Sequence, residues 1–280
     1  MTDSQNRPAS SVREQFDLNG RVCLITGGAG YLGRQFADAL AELNGRPVLI
    51  DFLADSLRDA SETLGYPSFE ADVTDEASLA AVREKVLNEL GSIDVLINSA
   101  GLTKHGCEVD PERFFATFEE TDREVWDAGL KINLTGVMLC CKVFGPPMVK
   151  QGKGAIINIG SDIGLISPDQ RIYAPDEHGY EGVDFNAPAF YSASKAGVIH
   201  LTKHLATLWA AHGVRVNAIS PAGVERDHDP AFVKQLASRI PMGRMARESE
   251  FKGAVAFLAS DASSFVTGHN LVIDGGRTIW

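Results

Sequence analysis

The sequence predicts an α/β fold: a doubly wound, mostly parallel sheet of seven strands with helices on both faces. Three observations carry this. Short apolar or β-branched runs alternate with longer segments of helical period, an order that builds parallel sheets. The runs VCLIT, DVLIN and AIINI are apolar almost throughout, as strands covered on both faces have to be. A glycine-rich turn, Thr26-Gly27-Gly28-Ala29-Gly30-Tyr31-Leu32-Gly33, stands where the first strand meets the first helix.

Taken in order, strands are expected at 21–25, 47–51, 93–98, 155–159, 215–219 and 270–273, with a weaker one at 68–70. Helices are expected at 31–43, 55–64, 76–90, 124–138, 191–212 and 249–259. Residues 1–17, polar and carrying Pro8, read as a loosely held N-terminal tail, and 18–280 as one domain. With 44% hydrophobic residues there is enough apolar material for a single large core.

A formal net charge of −11 argues against nucleic acid or an anionic membrane as partner, since both select basic surfaces. No apolar run reaches the length needed to cross a bilayer, and the first residues lack the basic-then-apolar pattern of a secretory leader. Cys23, Cys107, Cys140 and Cys141 show no metal-ligand spacing. They read as free buried thiols, and no metal is expected. A cytoplasmic protein is the expectation.

In the glycine turn, Gly27 and Gly30 permit a tight bend that brings backbone N–H groups, with Tyr31 and Leu32, to the start of a helix. That is the arrangement that receives a pyrophosphate. Asp51 ends the second strand 18 residues after Gly33 (51 − 33), with Phe52 beside it. A carboxylate there accepts hydrogen bonds from ribose hydroxyls and repels a 2′-phosphate, so the expected cofactor is NAD rather than NADP. Arg34 and Arg46 lie nearby and read as solvated.

Tyr191-Ser192-Ala193-Ser194-Lys195 puts a phenol and an ammonium at i and i+4 on one helix face. Hydride transfer between alcohol and ketone needs a group that exchanges one proton. A phenol, with an ordinary pKa of about 10, serves at neutral pH when a cation lowers it.

With these elements in place, the chain resembles the short-chain dehydrogenase/reductase family, a Rossmann-type fold, over about residues 18–276. The matching elements run in the family's order: the glycine loop, Asp72-Val73, Asn98-Ser99-Ala100-Gly101, Asn133, Ser161, Tyr191 with Lys195, Ser220-Pro221 and the segment Val272 to Gly276. The resemblance implies roles. Tyr191 is the acid/base, and Ser161 holds the substrate oxygen against it. Lys195 binds the nicotinamide ribose and lowers the Tyr191 pKa. Asn133 holds a water that relays protons. Asp72 and Val73 meet adenine, Asn98 with Ala100 and Gly101 lines the adenosine ribose, and Pro221, Gly223 and Val224 pass the carboxamide. It also implies pairing of the helices near Glu124 and Tyr191 into a homodimer or homotetramer. Apolar Val137, Met138, Leu139, Val198, Leu201, Leu205 and Leu208 on those helices fit that.

The chain departs from the family at three places. Tyr31 stands where the single-domain branch has its middle glycine, a spacing typical of sugar-nucleotide epimerases and dehydratases. Ala222 stands where glycine follows proline. Ser161 and Tyr191 are 30 residues apart (191 − 161), a longer gap than usual. The inserted stretch, roughly 163–189, interleaves aromatic and charged residues, among them Arg171, Tyr173, Asp176, Glu177, His178, Tyr180, Glu181, Asp184 and Phe185. Such a mixture suits a substrate with many hydroxyls. The insertion and the ending DGGRTIW also look similar to members from bacterial surface-sugar and flagellin-glycan pathways. Residues 225–247, with Pro230 and Pro241, read as a lid.

The function expected is therefore NAD(H)-dependent interconversion of a secondary alcohol and a ketone on a hydroxylated small molecule, a sugar or nucleotide sugar. Two alternatives stand beside it: an epimerase or dehydratase using bound NAD, and a non-catalytic NAD(H) sensor. Only Thr278 to Trp280 follow the last paired glycines and Arg277, against the substantial C-terminal substrate domain of the epimerases. A sensor does not need Ser161, Tyr191, Lys195 and Asn133 together.

Overall fold

Ser11 and Glu14 close a reciprocal capping box, which starts a short helix, α1 (Val12–Phe16), ahead of the buried Leu18. Residues 12–16, expected from the sequence to be tail, are therefore helical. The signal was the Ser-x-x-Glu cap rather than apolar period. This is a computed structural model, and it describes residues 11–102, 109–173 and 186–280. Of the residues singled out above, Pro8, Cys107, Asp176, Glu177, His178, Tyr180, Glu181, Asp184 and Phe185 lie outside that range.

The strands are β1 (Val22–Thr26), β2 (Arg46–Asp51), β3 (Ser68–Glu70), β4 (Val95–Asn98), β5 (Gly154–Ile159), β6 (Val214–Pro221) and β7 (Asn270–Ile273). All pair in parallel, in the order β3-β2-β1-β4-β5-β6-β7. The order reverses between β1 and β4, the switch point where ligands bind in such sheets. Register brings the carboxyl ends level: Thr26 lies opposite Ile50 on one side and Asn98 on the other, and Asn98 lies opposite Asn158.

Alternate residues of each strand feed two cores. Val22, Leu24 and Leu96 pack on one face with Val82, Phe144, Val198 and Leu205. Those four come from α4 (Glu76–Leu90), α7 (Val137–Gln151) and α8 (Ala189–Trp209). Cys23, Ile25, Val95 and Ile97 pack on the other with Phe36, Leu57 and Val255, from α2 (Tyr31–Ala41), α3 (Ala54–Leu64) and α10 (Lys252–Ala259). Each such side chain, fully buried, contributes about 1.5–3 kcal/mol. Cys23, Cys140 and Cys141 are buried free thiols, and burial raises all three above the usual thiol range.

The helix expected at 124–138 is longer. Helix α6 (Arg123–Leu130) runs through a π-helical turn, Lys131–Gly136, into α7, and Pro146 and Pro147 lie inside the helix rather than ending it. Interior proline costs about 3 kcal/mol. Burial of Cys140, Val143, Phe144 and Met148 against the sheet outweighs that. The helical stretch Arg123–Gln151 is 29 residues long, and an 18-residue window within it reaches a mean hydropathy of 1.3, enough by length and composition to cross a bilayer. Half of that window is buried inside the domain, where the helix packs on the sheet as a core element.

Of the apolar positions noted on these helices, Val137, Val198 and Leu205 are buried in this core, with Leu139 and Leu201 packed against it. Met138 and Leu208 are exposed. A short α5 (Pro111–Phe114) packs Phe114 edge-on against Phe190, and α9 (Pro230–Ala237) lies within the expected lid.

Candidate active site

The glycine turn connects β1 to α2 as the sequence required. Gly27 adopts φ +66°, and a Cβ there would stand 2.8 Å from the Ala100 backbone, so no other residue fits without displacing the β4 loop. Gly30 is the N-cap of α2 and offers no side-chain cap to its first-turn N–H groups. Asp51 braces the same loop. One carboxylate oxygen accepts from Ala29 N at 3.1 Å, the other from Phe52 N at 2.9 Å and Leu53 N at 3.3 Å. Arg34, expected to be solvated, instead donates to the Ala29 carbonyl at 2.9 Å and pairs with Asp59 at 2.7 Å. Its guanidinium is thus used within the loop.

Tyr31, the departure from the family's glycine pattern, reaches across to the lid. Its hydroxyl lies 3.4 Å from the Glu225 carbonyl oxygen, and the Arg226 guanidinium sits 4.6 Å above its ring. Leu32 packs into the core beneath the loop. Asp72 closes the turn after β3 by accepting from Thr74 N and Thr74 Oγ1 at 2.8 and 2.9 Å. Val73 lies against Gly136, where a Cβ would come within 2.9 Å of its methyl. Thr26 Oγ1 ties the β4 loop down by accepting from Ser99 N and Ala100 N.

The buried Asn98 Nδ2 donates to Asn158 Oδ1 at 2.8 Å, and Leu102 N donates to Asn133 Oδ1 at 2.6 Å. Gly101 lies close to that same oxygen. Asn98 Oδ1 and Asn133 Nδ2 have no hydrogen-bond partner among the described residues. A glycine cradle at a helix N-terminus, the Asp51 carboxylate at the end of the neighbouring strand and two orphaned polar atoms at the carboxyl edge of the sheet fit a nicotinamide dinucleotide. Asn133 sits on the π-helical turn, a distortion that occurs often at functional sites.

Ser161 follows β5 and Tyr191 lies in the first turn of α8, and the fold brings them close enough across the 30-residue gap for the serine to act on the phenol. Lys195, one turn on, is buried, donates to the Ile159 carbonyl oxygen at 2.8 Å and lies 5.5 Å from the centre of the Tyr191 ring. The sequence leads one to expect Lys195 to lower the phenol. Burial acts in the other direction. Burial pushes Tyr191 up to about 12; Asp162 and Tyr173 act in the same direction, and the Ser161 hydrogen bond opposes them. Burial likewise brings Lys195 down to about 8, so it still carries its charge at neutral pH.

Pro221 ends β6. Beyond it, the Gly223 carbonyl accepts from Ala246 N at 3.1 Å and Val224 bridges to Ala246, which anchors the base of the lid. A cavity of about 190 Å³ opens here among Ala222, Met245 and Ile273. A larger one of about 460 Å³ lies at the opposite, amino-terminal edge of the sheet, beside Arg21, Gly154 and Val214. It lies at the other end of the strands from Ser161 and the glycine loop, and the sheet's binding edge is the carboxyl one.

The insertion returns two of its three candidate substrate residues, Arg171 and Tyr173; the third, Tyr180, lies outside the described residues. Tyr173 stacks on Phe232 of α9 with ring centres 5.6 Å apart and lies near enough to Tyr191 to raise its pKa. Arg171 turns outward instead: it grips Asp169 with two nitrogens, at 2.8 and 2.9 Å, and its side chain is 83% exposed. Gln170 and Ala187 exchange hydrogen bonds that tie the two described ends of the insertion together. Sequence reasoning missed Asp162 and Arg277. They form a buried ion pair at 2.6 Å directly behind Ser161. The acid beside the serine and the arginine in DGGRTIW were the available signals.

Comparison with known proteins agrees with this geometry. The family model described as short chain dehydrogenase matches residues 21–175, and that described as Enoyl-(Acyl carrier protein) reductase matches 178–278. The chain is 37% identical to D-threitol dehydrogenase of Mycolicibacterium smegmatis, over 96% of this chain and 97% of that one. Among solved structures, a gluconate 5-dehydrogenase from Burkholderia cenocepacia J2315 in complex with NADP and tartrate is 30% identical, with TM-score 0.79 over 96% of this chain and 99% of that one. An NAD+-bound xylitol dehydrogenase is likewise 30% identical, with TM-score 0.78 over 92% and 99%. A seven-stranded parallel sheet, a glycine loop at its switch point and a Ser–Tyr–Lys cluster at its carboxyl edge thus belong to an oxidoreductase that acts on CH–OH groups, and the chain is a member of the short-chain dehydrogenase/reductase family.

Proposed function

We propose that the protein uses NAD to interconvert a secondary alcohol and a ketone on a small polyhydroxylated molecule, a polyol or sugar. The observation that carries this is the convergence of Ser161, Tyr191 and Lys195 at the carboxyl edge of the sheet, opposite an Asp51 carboxylate at the nucleotide end. When bound, the nicotinamide takes or returns the hydride. Tyr191 Oη exchanges the proton of the substrate hydroxyl, Ser161 Oγ holds that oxygen in place, and Lys195 meets the ribose. Asn133 holds a water in the proton path.

Support for the substrate class comes from the relatives named above, which act on threitol, xylitol and gluconate. Tyr173 at the site's edge offers an aromatic face to a sugar ring. NAD is favoured over NADP because Asp51 would meet the 2′-phosphate with like charge. A chain of this family that pairs through its long helices would use exposed Met138 and Leu208, giving a homodimer or homotetramer.

The test is a spectrophotometric screen for reduced nicotinamide, with NAD+ or NADP+ and a panel of tetritols, pentitols, hexitols, aldonates and nucleotide sugars. An acyl thioester ketone with NADH or NADPH serves as the rival substrate. Turnover of a polyol with NAD+ is expected. Preference for the thioester, or for NADP+, would overturn the corresponding half of the reading. Conversion of a nucleotide sugar without net NADH would point to epimerisation.

A further inference from the structure

We propose that Asp162, held by Arg277, is a positioning residue for Ser161: it aims the serine hydroxyl, and Arg277 keeps that hydroxyl free to turn to substrate. This rests on the reading of Ser161 as the group that holds the substrate oxygen.

The two oxygens of Asp162 are divided between two tasks. Oδ1 accepts from Ser161 Oγ at 3.0 Å and from Ile163 N at 2.7 Å, while Oδ2 accepts from Arg277 Nη1 at 2.6 Å. Asp162 is 2% and Arg277 6% exposed, so this ion pair has left water almost entirely. Such pairs do little for net stability, because desolvation offsets most of the attraction. Its position beside Ser161 is the more informative property.

A serine hydroxyl has one proton. Given to Asp162, it leaves Ser161 Oγ with its lone pairs toward Tyr191 and the substrate hydroxyl. When the substrate oxygen becomes a carbonyl it needs a donor, and the Ser161 proton has to swing to it. Ile163 N keeps Asp162 Oδ1 satisfied through that swing, and Arg277 draws charge toward Oδ2 so that Oδ1 gives up the serine's hydrogen bond readily. The arginine is delivered by the segment after β7. There Asp274 accepts from Gly276 N and Thr278 N, and Trp280 Nε1 donates to the Arg239 carbonyl beside α9. The last residues of the chain thus fasten the serine and the lid together.

The charged and titratable groups that act on Tyr191 are Asp162 and Tyr173, with the Lys195 ammonium 5.5 Å from its ring centre; Arg277 bears on it through Asp162, whose Oδ2 it holds. Removing the anion or the cation of the pair should therefore move Tyr191 in opposite directions. Asp162→Asn lowers the acid limb of the kcat/KM profile by about half a pH unit or more, and Arg277→Met raises it by a similar amount. Both lower kcat for the best polyol with NAD+ by about tenfold or more while NAD+ affinity stays within about twofold. Arg277→Lys recovers most of the rate.

Tyrosine-Cζ carbon NMR, with Tyr191 assigned by its loss in Tyr191→Phe, reads the same opposite shifts without any substrate. It tests the coupling of the pair to Tyr191 even if no polyol is turned over, and the kcat loss tests the aim of Ser161. Shifts of one sign in both variants, or none, overturn it. Should the single variants not fold, the neutral pair Asp162→Asn/Arg277→Gln leaves no buried charge unpaired. It should lose kcat by about tenfold against Arg277→Lys, and wild-type kcat in that pair would refute the assignment.

Discussion

Lys195 holds its ammonium 5.5 Å from the centre of the Tyr191 ring while donating at 2.8 Å to the carbonyl of Ile159, the last residue of β5. The strand therefore fixes the lysine, and the lysine and phenol approach each other as one rigid unit on α8. Both are protonated at neutral pH in this arrangement, the phenol because burial disfavours phenolate.

Tyr191→Phe keeps the ring packing and deletes the exchangeable proton. Turnover should fall by about a hundredfold or more, while NAD+ binding, followed by fluorescence titration, stays close to wild type. Retention of more than about a tenth of the activity would assign the acid/base elsewhere.

Lys195→Met should stabilise the protein as it disables it. The buried lysine is brought from 10.5 down to about 8, so the unfolded chain binds the extra proton between those values. Below about pH 8 the wild type bears the full cost of a buried ammonium, and it recovers stability as pH rises toward 10.5. The variant's Tm should exceed wild type by roughly 2–5 °C at about pH 7, and the gap should close by about pH 10. A Tm gap that widened with pH, measured by calorimetry, would reverse this sign.

Asp51→Ala removes the like charge facing a 2′-phosphate and should narrow the preference for NAD over NADP. Because Asp51 also braces Ala29, Phe52 and Leu53, KM for NAD should rise at the same time, by about 5- to 20-fold. Kinetics with both cofactors check the two effects separately. A variant that gained nothing on NADP would show that Asp51 braces the loop without selecting the cofactor.

Tyr173 and Arg171, two residues apart, should behave differently. Tyr173→Ala opens a stack against Phe232 at the edge of the site and should lower kcat/KM for a polyol by about 5- to 150-fold, with NAD+ affinity unmoved. Arg171→Ala breaks an exposed pair with Asp169 and should change kcat/KM by less than about twofold. Equal effects from both would mean that the insertion closes over substrate as a whole.

The sheet, the glycine turn and the Tyr191–Lys195 spacing were legible in the sequence because each is local. Apolar period, a turn that only glycine can make, and i, i+4 neighbours on a helix depend on residues within a few positions of each other. Two departures have different causes. Residues 12–16 are helical because Ser11 and Glu14 cap each other, a local signal that apolar period does not carry. The helix expected at 124–138 runs on to Gln151 because burial across the whole sheet outweighs two prolines. The outward turn of Arg171, the contact of Tyr31 with Arg226, and Asp162 behind Ser161 paired with Arg277 could not be read at all. The partners in that ion pair lie 115 residues apart. A buried charge finds its counterion only once β5 and β7 have taken their places in one sheet, so what stands behind Ser161 was decided by the tertiary structure alone.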